Sequence, residues 1–252
     1  MKNIAAILIL IGTASVAMAA RDDLASRITA EDGWVTFTYP AHENVHSQSH
    51  TITIDGNKVV VTDDDDDGLV HTTAKVRNGR VIDLETRSGH SQSRHEKNAR
   101  VIDNPTADEA ADYFLAMARN HRDEEVAESA ITAAAIADAE TWPTLLELAR
   151  DRQLDDEVRE SAIFWLGVQA GQKVSHDLEA IVDDDSEEME IREHAVFALS
   201  QALEDDHEEA VDTLGRIATE NPHTQLRQTA LFWLAQHDDP AVLDLFESIL
   251  LD

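Results

Sequence analysis

The sequence predicts an α+β protein, mainly α: a small antiparallel β meander followed by an α-solenoid of about nine helices. Three observations carry that expectation. Four segments in the C-terminal part align with one another without gaps. Two hairpin turns stand between β-branched runs in the N-terminal part. The charge also changes between the two parts: residues 21–100 hold 14 Asp/Glu against 10 Lys/Arg, whereas residues 101–252 hold 37 against 9.

In chain order, the first segment reads as an export signal. Lys2 gives a positive start, residues 4–11 a short apolar run, and Ala17-Met18-Ala19-Ala20 a small-residue end. That order is the pattern of a secretory signal peptide, predicted to be cut after Ala19, so residues 1–19 are assigned to it. The apolar run is short for a bilayer span, and no later stretch is apolar enough for another. The mature form is therefore expected in the periplasm or outside the cell, as an exported bacterial chain with no membrane span. Cysteine is absent, which excludes disulfides, thiolate metal sites and lipid attachment through cysteine.

Residues 20–32 are polar and predict a short helix at most. Trp34-Val35-Thr36-Phe37-Thr38-Tyr39 is β-branched and aromatic, and Pro40 ends it. Thr51-Ile52-Thr53-Ile54 and Val59-Val60-Val61 flank Asp55-Gly56-Asn57, residues that tolerate the positive φ of a tight hairpin. Asn78-Gly79 joins residues 70–77 to 80–86 in the same way. Residues 33–87 are thus predicted as a small antiparallel meander. It is too small to bury much apolar surface by itself and is expected to dock on the segment C-terminal to it. Residues 88–104 are polar and predicted as a linker.

From residue 105 onward the chain reads as helix. Thr106 and Glu109 have the spacing of a capping box after Pro105. The aligned segments are 126–134, 158–166, 191–199 and 226–234, starting 32, 33 and 35 residues apart. At 100° per residue, offsets 0, 4, 7 and 8 fall on one stripe. In the second unit these are Val158, Ala162, Trp165 and Leu166, and offset 4 is Ala in all four: Ala130, Ala162, Ala195 and Ala230. A second apolar-periodic run follows each segment, such as Leu145-Leu146-Leu148 and Leu178-Ile181-Val182. A unit is therefore two helices, and no unit can bury its stripe alone, so units must stack.

The acidic turn, Val/Ile-Arg-Glu, Ala-aliphatic-aromatic and Leu, ahead of a second Leu-rich helix, resembles HEAT repeats of the phycobilisome-lyase-like type over residues 105–252. The resemblance implies a right-handed superhelical stack of helix pairs serving as a protein-binding scaffold. It also implies that Arg159, Arg192 and Arg227 pair with acids of the adjoining turn. The first unit departs from it, with Ala127 in place of the Arg and Thr132 in place of the aromatic. HEAT-like hydroxylases of the deoxyhypusine type ligate iron through His-Glu pairs at offsets 2 and 3. Here those offsets hold Glu128/Ser129, Glu160/Ser161, Glu193/His194 and Gln228/Thr229, so that activity is not carried over. Nor is bilin-lyase activity, in an exported chain without evident pigment chemistry.

Offsets 2 and 6 lie opposite the stripe and hold Glu160/Phe164, Glu193/Phe197 and Gln228/Phe232. Two readings are open: the Phe side chains stack on neighbouring units, or they line a partner-binding groove with acidic flanks. A balance of −31 over 252 residues repels phosphate backbones and anionic lipid, so nucleic acid is not an expected partner. The charge suits a basic protein or peptide partner, loosely held cations or a salty habitat, and the plain alternative is that the acids only keep a helical surface soluble. Asp63, Asp65 and Asp67, followed by Gly68, open like a calcium loop, but position 12 of that loop is Ala74 and strands flank it. That leaves a weak calcium site or a solvated acidic turn. His42, His46, His50, His71, His90 and His95 concentrate in the β segment, a composition that also suits zinc. No nucleophile elbow, His-Glu-x-x-His or phosphate loop is present. The expectation is a non-catalytic, cofactor-free exported scaffold. The alternative is an envelope protein that binds divalent cations, calcium or zinc.

Overall fold

Asn78 and Gly79 both take positive φ, 53° and 69°, and so turn the chain tightly enough to lay one long strand against the next. A computed structural model describes residues 23–42, 51–54, 57–60, 67–88, 95–203, 207–236 and 240–251. A short helix α1 (Leu24–Thr29) precedes β1 (Gly33–Pro40), β2 (Thr51–Ile54), β3 (Asn57–Val60), β4 (Leu69–Arg77), β5 (Arg80–Ser88) and β6 (Arg100–Val101). Strand order is β5-β4-β1-β6, with β2 and β3 forming a separate two-stranded hairpin. β4 runs antiparallel to both β1 and β5, whereas β6 runs parallel to β1 through Val35↔Arg100 and Thr36↔Val101. The sheet is therefore mixed. β6 lies inside the stretch read as a linker, because two residues are too few to show a period.

Alternation places Val35, Phe37 and Tyr39 on one face of β1, all buried. They pack on the first helices. The Phe37 and Phe114 rings stack at 6.2 Å, and the Tyr39 hydroxyl donates to the Ala133 carbonyl at 2.8 Å. Burial pushes the Tyr39 hydroxyl's pKa up, which keeps it a neutral donor. Backbone bonds from His42 to Ile136 and from Asp138 to Pro40, each 3.0 Å, continue the contact. Sheet and helices thus share one apolar core.

Nine helices follow among the described residues: α2 (Ala107–Asn120), α3 (Glu124–Ala135), α4 (Trp142–Arg150), α5 (Asp156–Ala170), α6 (Ser175–Val182), α7 (Met189–Ala202), α8 (His207–Glu220), α9 (Thr224–Leu234) and α10 (Pro240–Leu251). The capping box of Thr106 and Glu109 opens the first of them. The aligned segments form α3, α5, α7 and α9, which lie side by side in one layer, with α2, α4, α6 and α8 behind them. Of its two neighbours in the chain, each aligned helix packs on the one before it, as in α4/α5 and α6/α7, not on the one after it, and α5 and α7 also pack closely on each other. Periodicity shows which face is apolar but not which neighbour covers it. No described helix is long and apolar enough to cross a membrane.

The stripe is buried throughout, apart from partly open Trp233. Burial reaches past the stripe to offset 1, where Arg159 and Arg192 are each only 2% exposed. Arg159 Nε donates to the Ala149 carbonyl at 3.1 Å, and Arg192 Nε to the Val182 carbonyl at 2.7 Å. Those carbonyls end α4 and α6, where unpaired acceptors and the helix dipole both favour a cation. The guanidinium of Arg159 then reaches Glu187 of the next turn at 2.6 Å, and that of Arg192 reaches Asp185 at 3.1 Å. Arg227 instead serves the Asn221 and Pro222 carbonyls. A second row of pairs links the rear layer: Arg119–Glu147 and Arg150–Asp177, both 2.7 Å, and Arg216 with Glu179.

α5 and α7 approach closely at Gly167, where a Cβ would fall 2.6 Å from the Ala198 carbonyl oxygen and 2.8 Å from its Cα. Inside a helix, Gly→Ala normally gains about 1 kcal/mol. Here overpacking against backbone costs about 1–3 kcal/mol, so Gly167→Ala is expected to lower the urea midpoint without changing the slope. Gly215→Ala meets only a Leu245 methyl at 3.2 Å, which can give way, and is expected to be neutral or stabilising.

Burial alone would raise the Glu187 carboxyl, but the bond to Arg159, the Glu188 amide and the charges of Arg159 and Arg152 together outweigh that and hold it below the ordinary value of 4.5. Arg159→Met is expected to cost about 2–4 kcal/mol, since Arg152 still neutralises part of the charge left behind. Arg150→Ala, in an exposed pair, is expected to cost under about 1 kcal/mol. A depressed carboxyl stabilises the fold above its unfolded value and loses that contribution as pH falls through the folded value. Denaturant titrations of wild type and Arg159→Met should therefore draw closer as pH falls below about 4.5, with the Ala149 carbonyl bond leaving a residual gap, and stay furthest apart above it.

Candidate functional site

Offsets 2 and 6 of α5, α7 and α9 form a row across the front layer. Phe164 and Phe197 are half-buried and stack at 5.8 Å with 18° between the rings. Phe197 then meets Trp233 at 4.5 Å, not Phe232. Phe232 is 59% exposed and touches the stack only through the edge of Trp233, at 5.0 Å. The aromatic run thus crosses three units and ends in an open ring.

The polar residues of the row tie units together. Glu160 Oε1 lies 3.5 Å from His194 Nδ1. Glu193 accepts from Thr229 Oγ1 and Gln225 Nε2, each at 2.9 Å. His194 and Thr229 both stand at offset 3 of the following unit, so each acid spans one seam. Gln228 is exposed. Burial pushes the Glu160 carboxyl up, with Glu190, Glu157 and Asp156 adding repulsion and His194 opposing them. The structure therefore brings Glu160, Phe164, Glu193 and Phe197 into one connected patch, and leaves Gln228 and Phe232 open at its edge.

At α3 the row runs into a cleft of about 420 Å³. Residues 82–87 of β5 form one wall, and Asp123, Glu125, Val126, Ser129 and Thr132 of α3 form the other. Thr132 occupies offset 6, where later units carry Phe, and the smaller side chain leaves the space open. It also accepts a hydrogen bond from Trp165 Nε1 at 3.3 Å, and Trp165 meets Phe164 of the row edge-on at 5.2 Å. Asp83, Glu85, Asp123 and Glu125 make the cleft acidic, and the one cation in its lining, Arg87, is bonded to Glu85 at 3.2 Å. Thr132 in place of an aromatic was the only sequence sign of this space. The position of β5 at the sheet edge left none.

Of the residues considered for calcium, Asp63 and Asp65 lie outside the described residues. Asp67 accepts from the Leu69 amide at 3.1 Å and faces His71 Nε2 at 2.8 Å. His46, His50 and His90 also lie outside them, and His95 stacks on Trp34 at 3.9 Å. A different acidic group comes together instead. The carboxylates of Glu124, Asp155 and Glu157 lie within 4.8 Å of one another at the exposed starts of α3 and α5. Helix N-termini favour acids on their own account, and three such oxygens also suit a hard divalent cation.

No protein-family model, curated protein or solved structure matches the chain.

Proposed function

We propose that the chain is an exported, non-catalytic scaffold of HEAT-like units that binds a protein or peptide on the front of α5, α7 and α9. One observation carries this reading: an aromatic run with acids beside it crosses three units and ends in a ring left 59% open. Large aromatics recur at the centres of protein interfaces, where one apolar face is desolvated on binding. Export is supported by the charge, apolar and Ala-x-Ala order of residues 1–20. A photo-crosslinking residue at Gln228, carried by the mature chain in the exported fraction, is expected to trap a reproducible protein partner. Phe232→Ser should weaken that partner's binding by about tenfold, the loss of one interface anchor. Absence of a reproducible partner, or unchanged binding by Phe232→Ser, would sink the reading. The N-terminus of the exported form is expected at Ala20.

A second reading has the convergence of Glu124, Asp155 and Glu157 in its favour, and makes the chain a divalent-cation binder. Calcium at 100-fold excess over its dissociation constant would then add about 2.7 kcal/mol to stability. Elemental analysis with melting in calcium and in chelator tests it. A shift removed by Asp155→Asn with Glu157→Gln supports the site, and equal melting in calcium and chelator eliminates it.

A further inference from the structure

β5 is the outer strand of its sheet. Among the described residues its ladder is to β4 alone, and β3 lies near it without pairing to it. An edge strand presents alternate amides and carbonyls to whatever lies beside it. Beside this one lies the acidic cleft. A cleft over one face of a sheet would meet every second residue of the strand, but this one is lined by consecutive residues, 82–87. It therefore runs along the strand's edge. At about 3.3 Å per residue the lined stretch is roughly 20 Å long, enough for a strand of five or six residues.

Charge selects the occupant. A second copy of this chain would bring the same carboxylates edge to edge, and the acidic run of residues 63–67 has the same sign. Acids on an edge strand oppose self-pairing, because like charges directly across a ladder are destabilising. The same acids favour a basic strand. We propose that the cleft holds an extended, Lys/Arg-bearing segment of a partner protein, which adds to β5 as a further strand and lays its other face on α3. This occupant presupposes the scaffold reading above and gives the chemistry of the segment that the scaffold takes. Asp83 and Glu85 are two apart, hence on one face of the sheet, and set basic residues at alternate positions of the segment. Val126, Ser129 and Thr132 meet the residues between, which are small or β-branched. Main-chain bonds supply affinity, and alternate side chains supply selection.

The test titrates labelled Lys-Val-Lys-Thr-Lys-Val into the full mature chain at moderate salt. Two further peptides carry N-methyl groups on one or the other alternate set of backbone amides. Only one set faces β5, so one methylated peptide should bind at least about tenfold more weakly, and the other should bind like the parent. Amide exchange should slow at residues 82–87 when the parent peptide is present. Asp83→Lys with Glu85→Lys should also weaken binding about tenfold or more. Asp83→Asn with Glu85→Gln, a gentler change at the same positions, should fall between. Equal binding by all three peptides would mean general attraction to an acidic surface and would overturn the proposal, as would absence of binding or protection confined to other segments. If these assays fail while the Gln228 crosslink still traps its partner, the strand-addition site falls and the scaffold reading stands. If both fail, both fall.

Discussion

No two-helix unit of this chain can cover its own apolar stripe, and every other feature of the helical part answers to that. The alanines at offset 4 are fully buried in all four units, and at Gly167 the front helices α5 and α7 meet nearly backbone to backbone. Such contact tolerates no extra methyl at Gly167. It also creates a difficulty, because residues 101–252 carry 37 acids and only 9 cations, and stacking brings the acids together. The cations are concentrated at the seams. Arg119, Arg150 and Arg216 bridge successive rear helices, while Arg159 and Arg192 close the ends of rear helices and hold the adjoining turns. The two kinds of contact differ in weight. Exposed pairs contribute well under a kilocalorie each, whereas a buried guanidinium that serves both a helix end and a carboxylate is costly to remove. The buried Arg residues therefore set how one unit sits on the next.

The sheet belongs to the same logic. A stack has two ends, and the first front helix, α3, would be uncovered on one side without it. Phe37 and Tyr39 close that side against Phe114 and the Ala133 carbonyl. A meander too small to fold by itself and a helix layer too open to end by itself complete each other. The junction is incomplete beside β5 because Thr132 is smaller than the Phe of later units. The opening is thus a product of how sheet and stack join, and neither part has it alone.

Much of this was legible in the residues. Offsets 0, 4, 7 and 8 marked the buried stripe, and Asn78-Gly79 and the Thr106–Glu109 box marked their turn and cap. What escaped was tertiary. β1 pairs with β4, across the intervening hairpin, because sheet order depends on long-range packing and not on adjacency. Helix partners escaped for the same reason. The fourth unit shows a subtler limit. Its Trp233, at offset 7, takes the place in the aromatic run that Phe164 and Phe197 hold from offset 6. That unit begins 35 residues after the third, against 33 and 32 earlier, and its Arg227 caps Asn221 and Pro222 in place of a carbonyl ten residues back. The stripe of α9 is buried like the others apart from Trp233, and alignment by sequence offset cannot register which ring meets the preceding unit; Phe232 is left 59% exposed.

Acidity of this degree does not by itself indicate function, and its distribution is the more telling fact. Asp123 caps α3 by accepting from the Val126 amide at 3.4 Å, and Glu124, Glu125, Asp156 and Glu157 stand in first turns, where the helix dipole favours a carboxylate. Glu187 and Asp185 serve the seams, and Glu160 and Glu193 tie the front row together. Folding accounts for these. Asp83 is different: a strand edge has no dipole to satisfy, and Asp83 is exposed, whereas its neighbour two residues on, Glu85, is bonded to Arg87. Acids in that position act on whatever approaches the edge, repelling a like-charged strand and attracting a basic one. Sorting the carboxylates by what each one stabilises thus separates the surface into acids that the fold needs and acids whose charge bears on a partner.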